Sequence, residues 1–108
     1  MKALQVITTV DSREAAERIV SELVENKLAA CVQLHGPITS TYWWQGKVEK
    51  ATEWVITAKT TPELYQKVEE TIARLHPYTV PEIIALPIEE IYGPYLEWLL
   101  STVSSSAP

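Results

Sequence analysis

A chain of 108 residues, 46% hydrophobic and 21% charged, has the size of one domain, enough apolar material for a packed core and too little charge for a disordered polymer. Its net charge of -5 argues against a surface built to neutralise nucleic-acid phosphates. The single cysteine, Cys31, excludes an internal disulfide and favours a reducing compartment, the cytoplasm, while no apolar run is long enough to cross a bilayer.

Residues 3–10, ALQVITTV, are rich in β-formers and read as a first strand. No small-residue cleavage site marks this stretch as a signal peptide. Asp11 and Glu14 have the D-x-x-E spacing of a capping box. Ala16, Ile19, Val20, Leu23 and Val24 follow at helical spacing, which predicts a helix over 12–26. Two β-type arms, 28–44 and 47–60, flank the QGK turn of a hairpin, and Gly36-Pro37 breaks or bulges the first arm. Thr61-Pro62 is a cap followed by a first-turn proline, and Leu64, Val68, Ile72 and Leu75 mark the buried stripe of a second helix. HPYTVP, residues 76–81, holds two prolines and is extended or turned. EIIALPIEEI, 82–91, reads as a fourth strand, with Pro87 placing it at an edge or a bulge. GPYLEWLLSTV, 93–103, is a short closing helix. The domain is therefore expected to span 1–103, with 104–108 a disordered tail.

The order β-α-β-β-α-β plus a terminal helix is that of a ferredoxin-like α+β sandwich. Right-handed crossovers put both long helices on one face of an antiparallel sheet. The hairpin is too long for that sandwich. Its arms reach about 45–55 Å if extended, whereas the first helix covers only about 22 Å. ITSTYWWQGKVEK, residues 38–50, should project beyond the core, and an isolated two-stranded ribbon is marginal in water. Trp43 and Trp44 are neighbours and so point to opposite faces of such a ribbon. One indole is expected to pack within its own subunit and the other, Trp44, against a second copy of the chain. Tyr42 shares the face of Trp44. Gly46 at the turn and Trp98 on the closing helix complete the expected interface.

KLAACVQ, STYWWQGKVE, EWVITAKT, HPYTVPEIIALPI and YLEWL, in this order and spacing over nearly the whole chain, resemble the CutA family of divalent-cation-tolerance proteins. The resemblance implies a ferredoxin-like subunit, a homotrimer in which long hairpins extend the neighbours' sheets, and an architecture like that of the PII signalling trimers. It implies a role in tolerance to divalent metals, copper in particular. In some members the histidine of the His-Pro-Tyr block binds metal together with a cysteine near the end of the first strand. This sequence has Thr8-Thr9 there.

Among residues able to carry chemistry, His76 and Glu82 bracket the proline-stiffened HPYTVPE segment and offer nitrogen and oxygen donors for a divalent ion such as copper or zinc. A helix C-terminal cap is the competing role for His76, and an ion pair with Lys59 or Lys47 the competing role for Glu82. Cys31 is a soft donor or simply a small buried hydrophobe. His35, four residues along the same strand face, lies about 13 Å from it, too far to share an ion. Glu53, Val55, Thr57 and Lys59 share one strand face, opposite the apolar Trp54, Ile56 and Ala58. Lys59 sits at a strand end just before a helix, where an anion could be held. Glu53, Lys59, Lys47 and Tyr78 are thus the candidates for a ligand pocket.

No cofactor is obligatory on this reading, and no nucleophile–base pair, phosphate loop, C-x-x-C or H-E-x-x-H motif points to an enzyme. Three functions compete: a trimeric divalent-cation tolerance protein, a PII-like signalling trimer with a small anion or metabolite between subunits, and a structural anchoring trimer.

Overall fold

The computed structural model describes residues 2–104. Its elements are β1 (Leu4–Val10), α1 (Arg13–Glu25), β2 (Cys31–Trp44), β3 (Lys47–Thr60), α2 (Tyr65–Leu75, preceded by a 3-10 turn at Pro62–Leu64), β4 (Ile83–Pro87) and α3 (Gly93–Ser104). The four strands form one antiparallel sheet in the order β2-β3-β1-β4, the ferredoxin-like arrangement.

Alternation along the strands separates two faces. Val6 and Val10 of β1 and Ile56 and Ala58 of β3 point toward the helices. There they pack with Ala16, Ile19 and Leu23 of α1 and Val68 and Ile72 of α2. The opposite face carries Gln5, Ile7 and Thr9, the residues Val55, Thr57 and Lys59, and, on β4, Ile84 and Leu86. Neither α1 nor α2 covers it. α3 reaches it at the Cys31 end, where the Tyr95 hydroxyl contacts the thiol. α3 otherwise builds a second, smaller core from Leu99, Val103 and Ala3.

Several expected boundaries move, and the first hairpin arm, expected from 28, begins as β2 only at Cys31. The cap of α1 is Ser12 rather than Asp11: its Oγ accepts a hydrogen bond from the Ala15 amide at 3.1 Å. β4 stops at Pro87 instead of continuing to 91, because proline has no amide hydrogen with which to extend the ladder. α3 runs one residue further than expected, through Ser104; the rest of the expected tail, 105–108, lies outside the described residues.

The hairpin turns at Gln45 and Gly46, both at positive φ (49° and 78°), as a two-residue turn between twisted strands requires. Pairing runs without interruption from Trp44↔Lys47 to Ile38↔Glu53, slips by one residue between Ile38 and His35, and resumes at His35↔Val55. The slip is the bulge foreseen at Gly36-Pro37. Gly36 has φ 151°, and a Cβ there would lie 2.8 Å from Trp54 Cδ1 and 3.0 Å from the Glu53 carbonyl oxygen. Only glycine fits.

Toward its tip, over residues 41–50, every residue of the ribbon is exposed. Trp43 is 74% exposed and Trp44 54%, with Tyr42 and Val48 exposed beside them. The expectation that one indole packs inside its own subunit is therefore not met. α1 and α2 end before the ribbon begins, so neither tryptophan finds a partner within one chain.

Candidate functional site

The segment that follows α2 gathers a polar cluster that links β1 and β3. His76 closes the helix as its C-cap, its amide donating to the Ile72 carbonyl. Its ring is turned inward and only 8% exposed. Nδ1 accepts a hydrogen bond from the Tyr78 amide at 3.1 Å. That leaves Nε2 to carry the proton and donate to the Thr9 carbonyl at 2.8 Å. Both ring nitrogens are thereby used, and the one basic lone pair, at Nδ1, is not open to an ion. His76 and Glu82 are thus not a preformed metal centre. Glu82 is exposed and forms no ion pair with Lys59 or Lys47 among the described residues. Among those residues no group of three or more His, Cys, Asp or Glu side chains is placed to hold a metal.

The Tyr78 ring leans on His76, centroids 4.6 Å apart. Its hydroxyl donates to Glu53 Oε2 at 2.6 Å. Burial, followed by that hydrogen bond and the nearby carboxylate charge, pushes the Tyr78 hydroxyl well above the ordinary phenol value. Glu53 itself is only 6% exposed, unusual for a carboxylate and consistent with its tyrosine partner. Two of the four expected pocket residues are therefore in contact. The other two are not: Lys59 and Lys47 each lie six residues along β3 from Glu53, about 20 Å in opposite directions.

At the far end of the same face, Cys31 is half-buried and pairs across the ladder with Lys59. Lys59 Nζ donates to Gln33 Oε1 at 2.7 Å, and no carboxylate pairs with it among the described residues. Cys31 and the His76 cluster are separated by about 13 Å of strand, so they form no common site in one chain. The Thr8-Thr9 position resolves in the same way. Thr8 is fully buried on the helix side, and Thr9 offers His76 its backbone carbonyl.

Trp98 is exposed on α3 and stacks obliquely on Tyr95 at 5.4 Å. Gly46 at the ribbon tip has no side-chain neighbours that a Cβ would touch.

A four-stranded ferredoxin-like sheet with a projecting, aromatic hairpin and a closing helix defines the class. Residues 4–102 match the family described as "CutA1 divalent ion tolerance protein", and the chain belongs to that family. It is 49% identical over 94 residues to the divalent-cation tolerance protein CutA of Thermus thermophilus, covering 87% of this chain and 91% of that protein. A solved structure described as the periplasmic divalent cation tolerance protein CutA from Archaeoglobus fulgidus superposes with TM-score 0.90 at 42% identity, covering 94% of this chain and 98% of that one. CutA1 from Oryza sativa gives TM-score 0.91 at 39% identity, with 94% of each chain covered. No helix among the described residues is long and apolar enough to cross a membrane.

Proposed function

We propose that this chain works as a homotrimer in divalent-cation tolerance, in the cytoplasm and without enzymatic activity. The observation that carries this reading is the bare ribbon. Tyr42 and Trp44 continue the helix-free face that already bears exposed Ile84 and Leu86, and Trp43 and Val48 occupy the reverse side. Apolar area left in water costs about 25 cal/mol per Å². Further copies of the same chain are the partners always present at the right concentration.

Metal contact in this reading is weak. His76 and Glu82 are its proposed donors for copper or zinc, but the imidazole must first give up Thr9 and the Tyr78 amide. Cys31, at the other end of the face, does not take part within one subunit. Calorimetric titration of copper and zinc tests this: His76→Ala and Glu82→Ala should each weaken an already low affinity, with Cys31→Ala unchanged. Loss of binding in Cys31→Ala alone would overturn the assignment.

A small anion between subunits, as in a PII-like signalling trimer, is the second reading. Lys59 favours it: an ammonium on the helix-free face whose hydrogen-bond partner is the neutral Gln33. Nucleotide and inorganic phosphate titrations run beside the metals distinguish the two.

A further inference from the structure

The ribbon joins the rest of the sheet at a weak point. On the β2 side the ladder is interrupted between His35 and Ile38. Gly36 adds no side chain there, and none would fit. Both strands continue through the gap, but their pairing lapses at Trp54, between Glu53 and Val55 of β3. Nothing in α1 or α2 extends past this point to brace it.

One group from elsewhere does reach it. Tyr78, 25 residues further along the chain, places its hydroxyl 2.6 Å from Glu53, the residue paired with Ile38 at the first position beyond the bulge. Tyr78 is itself fixed twice over. Its ring rests on His76, and its amide is held by His76 Nδ1, while His76 Nε2 is bound to the Thr9 carbonyl of β1. Thr9 pairs with Val55, the β3 residue on the core side of the same gap. The chain of contacts Thr9, His76, Tyr78, Glu53 thus starts on the core side of the bulge and ends on the ribbon side.

We propose that the 76–78 segment is a clamp across a hinge: the ribbon pivots at the Gly36 bulge, and the Tyr78–Glu53 hydrogen bond sets its angle to the sheet. The hydrogen bond is short and part-buried and has a carboxylate acceptor, which places it among the stronger side-chain bonds. Its loss leaves the buried Glu53 oxygen unpaired, so the segment either opens to admit water or the ribbon tilts. This goes beyond the tolerance reading and does not depend on it, because every group involved belongs to one chain.

The test is backbone amide hydrogen exchange, read segment by segment, on the wild type, Tyr78→Phe and Glu53→Gln. All three are compared at a concentration where their measured masses agree, so that assembly is held constant. Tyr78→Phe keeps the ring on His76 and removes only the hydroxyl. It should raise exchange about fivefold for amides 38–53 and for 77–82, with β1, α1 and α2 unchanged. Glu53→Gln keeps an oxygen acceptor for the tyrosine and should raise exchange less than Tyr78→Phe does. A uniform rise across all elements would mean that Tyr78 contributes only to global stability, and would overturn the clamp. So would unchanged ribbon exchange in Tyr78→Phe, or a larger effect from Glu53→Gln than from Tyr78→Phe.

Discussion

Residues 54–60 and residues 47–53 belong to the same strand, β3, and pair with β2 on either side of the bulge opposite Trp54. They differ in what lies across the sheet from them. The first half has α1 and α2 over one face, and Ile56 and Ala58 vanish into a core closed by Ile19, Leu23 and Ile72. The second half has only Tyr78 over it, at Glu53, and opposite its outer residues Tyr42, Trp43 and Trp44 of β2 stand in solvent. Strand alternation thus sorts side chains into two faces, but it is the second layer that turns a face into a core. Where the chain supplies no second layer, another copy is the partner proposed above.

The largest effect that separates the halves is a cavity in the covered one. Leu23→Ala removes a fully buried side chain and should cost about 2–5 kcal/mol, measured as a shift in the urea midpoint. In the ribbon, the opposite signature is expected. Trp44→Ala should weaken assembly while leaving the far-ultraviolet spectrum intact, and should do so more than Trp43→Ala, because Trp44 continues the helix-free face. Trp44→Ala remaining assembled at dilutions where Trp43→Ala dissociates would reverse the two faces.

The joint between the halves gives the next effect. Gly36→Ala forces a Cβ against Trp54 and the Glu53 carbonyl and should destabilise by about 1–3 kcal/mol. Ser12→Ala, remote from the ribbon, should cost about 1 kcal/mol through the lost helix cap and leave assembly unchanged.

The smallest effect is alkaline. Tyr65, Tyr78 and Tyr95 all have hydroxyls pushed above the ordinary phenol value, first by burial and then by Glu69, Glu53 and Cys31 respectively. The unfolded chain therefore loses these protons first. Their stabilisation is fully present below about pH 10 and is lost as the pH rises through the folded values. Urea midpoints should fall as the pH is raised above about 10, and less steeply in Tyr78→Phe.

Much of the covered half was legible because its signals are local. Apolar spacing fixed the faces of α1 and α2, and the Gln45-Gly46 turn set the register of the hairpin. The start of α1 was misplaced by one residue because Asp11 and Ser12 are both good caps and the D-x-x-E pattern favours the wrong one. The place of His76 as the C-cap of α2 was among the roles the sequence offered, but the contacts of its ring were not legible. Its decisive partner is the carbonyl of Thr9, 67 residues away, and a backbone oxygen has no side-chain signature in a sequence. Glu53 and Tyr78 were each singled out as ligand candidates. Only the fold shows that they hold one another, while Lys59 and Lys47 lie at opposite ends of the strand. The failure of Trp43 to pack within its own chain has a similar origin, since pattern gives the direction of a side chain and not the extent of the layer it meets.

The claim on which the rest depends is that the uncovered ribbon is completed by other copies of the chain. Sedimentation equilibrium at micromolar concentration tests it directly. The account predicts a single species of three times the 12.2 kDa chain mass, dissociating on dilution more readily in Trp44→Ala. A monomer mass for the wild-type protein at that concentration would contradict it.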